Sequence, residues 1–95
     1  MQSIILCCGV NGRAVVFGDV DADPVPGQPV KLHNARMVLQ WDSACGGLFG
    51  VAARGPKGDT RLTHPVPSTT ETVWQEYLET TSEAAQLIRE WPACE

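Results

Sequence analysis

Between Arg36 and Trp41 the chain alternates residue by residue, setting Met37, Leu39 and Trp41 on one face and Arg36, Val38 and Gln40 on the other. A period of two belongs to a half-buried strand, because successive side chains of extended backbone point to opposite faces. The rest of the N-terminal half is punctuated to match. Residues 3–8 form a short apolar run. Asn11-Gly12, a pair favoured in hairpin turns, then leads into Val15-Val16-Phe17. A first hairpin is expected there.

Residues 19–29 hold three Asp, three Pro and one Gly and read as a loop. Extended backbone resumes at residues 30–32. Residues 42–47 read as a turn, and residues 48–53 as the returning strand of a second hairpin. A Gly/Pro loop follows over residues 54–59. Residues 61–66 are expected to be extended, since a residue that precedes proline is steered away from the helical region.

Residues 68–80 carry two patterns at once. Val73, Trp74, Tyr77 and Leu78 suit a helix, with Ser68-x-x-Glu71 as its capping box. Thr69, Thr70, Thr72, Val73 and Thr80 are β-branched and suit a strand. Local periodicity leaves both open. The last element is plainer. Ala84, Leu87, Ile88 and Trp91 make one helical stripe, capped by Thr81 or Ser82 and stopped by Pro92. Strands first and a helix last predict one α+β domain over residues 1–95. It would be a small antiparallel β-sheet or partly open barrel of about five to six strands, with one C-terminal α-helix packed on it.

Composition narrows the function classes. The chain is 43% hydrophobic and 19% charged, as a folded globule is, with a net charge of −4. Seven Lys and Arg against eleven Asp and Glu argue against nucleic acid as a partner. No stretch approaches the ~20 apolar residues of a membrane span. The first residues carry neither a basic start nor a cleavage site, so a cytoplasmic location, with no membrane contact, is expected. The four cysteines show no C-x-x-C and no zinc spacing, and read as reduced structural thiols. No metal or cofactor is implied.

Several constellations invite chemistry and fail on spacing. Asp19, Asp21 and Asp23 suggest a calcium loop, but Pro24 and Val30 stand where an EF-hand needs Gly and Glu. Residues 50–57 resemble a phosphate loop, but Pro56 interrupts it and Gly58 replaces the required hydroxyl. His33 and His64 have no spacing that pairs them with Cys7, Ser43 or Cys45 as base and nucleophile. Glu71, Glu76, Glu79, Glu83 and Glu90 read as a solvated acidic surface. Trp41, Trp74 and Trp91 read as core residues, and any one found exposed becomes a candidate partner anchor. Arg54, Lys57 and Arg61 gather three cations on a Gly-rich loop which, with Arg36, offers a candidate ligand- or partner-binding set.

Residues 30–41 (Val30-Lys-Leu-His-Asn-Ala-Arg-Met-Val-Leu-Gln-Trp41), then Leu48, Gly55, Pro65-Val66-Pro67 and Ser82-Glu83-Ala84-Ala85, carry a resemblance that covers nearly the whole chain. The chain resembles a family of small uncharacterised proteins encoded by tailed phages and prophages. Its members show an l-x-n-A-R-x-i-x-x-W strand, a p-V-P step and a t-x-E-A helix start. In those relatives the segment after p-V-P alternates as a strand, which implies a strand over residues 72–78 here. The resemblance implies no catalytic residue. It implies a non-enzymatic accessory protein that acts by binding a host protein, a defence component being one such target. Two alternatives are a binder of a nucleotide or another phosphorylated ligand through Arg36, Arg54, Lys57 and Arg61, and a minor virion or assembly component. An open sheet edge would also let two copies pair as a homodimer.

Overall fold

The computed structural model describes residues 2–94. Its elements are β1 (Gln2–Cys8), β2 (Ala14–Val20), β3 (Val30–Gln40), a short 3-10 turn (Ser43–Cys45), α1 (Gly47–Arg54), β4 (Arg61–Leu62), β5 (Val66–Glu71), β6 (Trp74–Glu79) and α2 (Ser82–Glu90). The six strands form one open antiparallel sheet in the order β4-β3-β2-β1-β6, with β5 sharing the outer edge of β3. The fold is α+β as the sequence predicts, with two helices where one was expected.

β1 and β2 form the first hairpin, paired from Gln2 and Val20 down to Cys8 and Ala14. β3 is long enough to hold two partners on one edge. Residues 30–35 pair with β5, and Val38 and Gln40 pair with β4. Between β2 and β3 the register slips: Phe17 faces Arg36 and Asp19 faces His33, so β3 carries one residue more than β2. That residue is absorbed in a bulge at Asn34, whose φ of 52° is the only positive value on a non-glycine among the described residues. The bulge keeps Val30, Leu32 and Ala35 together on one face.

β5 and β6 lie on opposite edges of the sheet although only Thr72 and Val73 separate them. Three Cα steps span at most about 11 Å, so the sheet must curl until its two edges nearly meet. Two bonds fix that corner. The Trp74 indole donates to the Gln28 carbonyl at 2.7 Å, and the Gly9 amide donates to the Val73 carbonyl at 2.8 Å. The strand implied over residues 72–78 is therefore present as β6, entered through a bend.

Curling produces two cores. Ile4, Leu6, Cys8, Val16, Val20, Val30, Leu32 and Ala35 are buried inside the curl, with Trp74 and Tyr77 against them. Ile5, Val15, Phe17, Val38, Leu62, Val51, Ala85 and Ile88 form the second core, between the other face and the helices. Both faces of β1 are thus covered, which is why its sequence is a continuous apolar run rather than an alternation.

Residues 48–53 are a correction, for they form α1 and not a returning strand. Asp42 caps the 3-10 turn by accepting from the Ala44 amide at 2.8 Å, and Gly46, at φ 83°, turns the chain off the sheet. Leu48, Val51 and Ala52 then give a helical stripe against the core. A Cβ on Gly50 would fall inside the Cys45 carbonyl oxygen, so this approach of helix to turn exists only for glycine. At the other end Thr81 caps α2, accepting from the Ala84 amide, while its own amide and hydroxyl donate to Ala52 and Ala53 of α1. In α2 the inward stripe is Ala84, Ala85 and Ile88, and Leu87 is left 44% exposed against expectation. Among the described residues no helix is long and apolar enough to cross a membrane.

Candidate functional site

The candidate cations do not come together. Arg36 is 3% exposed and points to the helical side of β3. Its Nη1 donates to the carbonyls of Ile88 at 2.6 Å and Trp91 at 2.8 Å, and its Nε to that of Thr63 at 2.8 Å. Burial lowers its pKa, and the carbonyl end of α2 supplies the compensating negative charge. Arg36 is a buried clamp whose Nε and Nη1 are spent on backbone carbonyls. Arg54 donates to the Cys45 carbonyl at 3.1 Å and steadies the turn before its own helix. Lys57 and Arg61 are exposed, the latter paired with Gln40 at the edge. No described contact draws Arg54, Lys57 and Arg61 toward one another.

The acidic loop divides between structural partners. Asp19 accepts from the Ser3 hydroxyl at 2.6 Å and from Arg89 at 3.1 Å, and Asp21 lies 3.2 Å from His33. Burial would raise the Asp19 carboxyl, but bonds from Ser3 and Arg89, the Arg89 charge and Asn34 together hold it below its ordinary value. Among the described residues no three His, Cys, Asp or Glu side chains gather as metal ligands do. The buried cysteines are poor nucleophiles. Burial, then the charge and hydrogen bond of Glu71, push the Cys8 thiol up to about 12, and burial with Glu76 raises Cys7. Cys45 is buried beside Thr60, with 3.5 Å between its Sγ and the hydroxyl oxygen.

What the fold does leave open is the mouth of the curl. Beyond the Asn34 bulge the alternation of β3 continues, but its buried side is the one carrying Arg36 and Val38. Met37 and Leu39 are turned outward, 42% and 52% exposed, and Trp41 stands just past the strand at 36%. Trp41 is thus a correction to the core assignment; Trp74 and Trp91 do pack against the cores. Val66, at the start of β5, is exposed as well.

Beside Met37 and Val66 the curl opens into a cavity of about 300 Å³, lined by Val16, Ala35, Thr63, His64, Thr69 and Glu71. Its walls are mainly apolar, as ligand pockets at barrel mouths are. Glu71 is the one carboxylate lining it. The Thr69 hydroxyl donates to Glu71 Oε2 at 2.9 Å, and the Glu71 charge contributes to raising the Cys8 thiol. No cation lies within ion-pair distance of Glu71 among the described residues.

Sequence reasoning placed Glu71 on a solvated acidic surface or in a helix cap, and did not find this mouth. The cavity joins residues of β2, β3 and β5, whose juxtaposition depends on the curl. Only the outward side of β3 had a signal, in its alternation with Trp41.

The model of a family described as a domain of unknown function, DUF6948, matches residues 1–88. The chain belongs to this family. No curated protein and no solved structure matches it significantly. The matched span takes in all six strands of the DUF6948 domain and most of α2, so the curl, the mouth and the outward stripe lie within it.

Proposed function

We propose that this chain is a non-catalytic binding domain whose partner is a different protein, docked on the open side of β3 and β5. The observation that carries the reading is the outward row of Met37, Leu39 and Trp41, each at least a third exposed, with the equally exposed Val66 beside Met37 at the mouth of the curl. Large apolar side chains grouped on one face, with an aromatic among them, are what protein interfaces use as anchors. Charge argues against a second copy as occupant. A two-fold contact on this face would bring together two chains of net charge −4 and two Glu71 carboxylates. A partner bearing positive charge is complementary instead. The reading that this partner is a host protein of a phage-borne accessory, defence components included, rests on the family resemblance of residues 30–41, 65–67 and 82–85.

The nucleotide alternative has less support, because Arg36 is spent on carbonyls and no described contact joins the other three cations around a common site. The test compares tagged wild-type chain with the Met37→Glu, Leu39→Glu double variant in bacterial lysate, followed by binding of the identified partner in pure form. The pure partner is expected to bind the variant at least tenfold more weakly while the melting temperature holds. Equal binding of both chains, or no partner at all, would remove the proposal.

A further inference from the structure

We infer that the mouth beside Glu71 receives a lysine side chain of the docked partner. This rests on the reading of the open face as a docking surface and gives that partner a chemistry. The cavity has two requirements. Its walls at Val16, Ala35, Met37 and Val66 ask for an apolar body, and Glu71, its one lining carboxylate with no cation within ion-pair distance among the described residues, asks for a positive charge.

A lysine side chain joins the two in one unbranched group. Its methylenes lie along apolar walls and its ammonium ends on an oxygen. About 300 Å³ is ample for one such side chain entering from an open side. The carboxylate also selects between the two basic residues. Thr69 already occupies Glu71 Oε2. A guanidinium reaches its full strength by gripping both oxygens in parallel, whereas an ammonium acts as a point charge and needs only one. The protein's charge of −4 favours the approach of such a segment.

The experiment is a titration of the 15N-labelled full chain by NMR, at low ionic strength and pH 7.5. The probes are N-acetyl-lysinamide, its uncharged isostere N-acetyl-norleucinamide, N-acetyl-argininamide and n-butylammonium. Lysinamide is expected to give saturable shifts at the amides of Val16, Ala35 and Thr69. Norleucinamide should bind at least tenfold more weakly, and Glu71→Gln should bring lysinamide down to that level.

Equal binding of lysinamide and norleucinamide, shifts confined to another part of the chain, or no saturable shift would overturn the inference. Tighter binding of argininamide would overturn the choice of lysine. Tighter binding of butylammonium would assign the site to free amines instead. The lysinamide–norleucinamide comparison uses the wild-type chain alone, so it stands even if Glu71→Gln does not fold. No partner is present, so failure here leaves docking on Leu39 to its own test.

Discussion

Arg36 of β3 donates from Nη1 to the carbonyl of Ile88, 52 positions along the chain, at 2.6 Å. Through this bond, and those to Trp91 and Thr63, one buried guanidinium fastens the end of α2 and the approach to β5 onto β3. A helix leaves its last carbonyls without intrahelical donors, and here a strand supplies them.

Replacing Arg36 by Met keeps the stem and removes every donor. The carbonyls of Ile88, Trp91 and Thr63 then lose a charged partner, and the expected loss is ~3 kcal/mol of unfolding free energy. Arg36→Lys should recover only part of it, because one ammonium cannot reach both the helix end and Thr63. Urea unfolding measures both. An unchanged midpoint for Arg36→Met would show that the clamp adds nothing.

Gly50 and Gly27 separate steric need from backbone need. An added methyl at Gly50 meets the Cys45 carbonyl, whereas at Gly27 it meets nothing within 4 Å and costs only the strain of a φ of 83°. Overpacking costs about 1–3 kcal/mol or more when the blocking atom is backbone, against about 1–2 kcal/mol for a left-handed alanine. Thermal unfolding of Gly50→Ala and Gly27→Ala should therefore show the larger drop for Gly50→Ala. The reverse order would mean α1 can shift off the turn freely.

Asp19 sets the acid limb of stability. Its folded pKa is depressed, so the carboxylate contributes stability above the unfolded value of ~3.9 and loses it as pH falls through the folded value. Asp19→Asn should flatten the dependence of the urea midpoint on pH below about 4. Because Arg89 is well exposed, added salt should weaken the effect without removing it. An acid limb identical in the variant would place the titration elsewhere.

Cys8 sets the opposite limb, with the opposite sign. Its folded pKa is raised to about 12, so stability is whole below the ordinary thiol value and declines as pH climbs from there. Cys8→Ala lowers stability overall and should make the decline above about pH 9 shallower. In the same range Cys7, Cys8 and Cys45 should resist a disulfide reagent until the chain unfolds, since all three are buried. Fast labelling of all three in the native protein would contradict the packed thiol environment.

Elements with a local cause were legible in the sequence. The Asn11-Gly12 turn, the proline-rich loop, the Thr81 cap and the alternation of β3 each follow from neighbouring residues, and each is present. Those with a distant cause were not. Residues 48–53 have strand-like composition, and the helix there depends on Gly46 turning the chain and on Gly50 approaching Cys45. Alternation could show that β3 had two unlike faces. It could not show that the helix end would claim the Arg36 side and leave Trp41 outside. Glu71 is a mouth residue because β5 and β6 straddle the sheet, a relation carried by no window of adjacent residues.

The surplus residue at Asn34 divides β3 between two kinds of selection. Upstream of it Val30 and Leu32 answer to packing, and downstream Met37 and Leu39 are free to answer to a partner. In a strand, a shift of one position exchanges inside for outside. Drawing Asn34 into the ladder as an ordinary strand residue would therefore trade the outward row for the Arg36 side, whereas deleting it would leave every face as it is. A homologue that keeps the extra residue and this surface must keep it bulged.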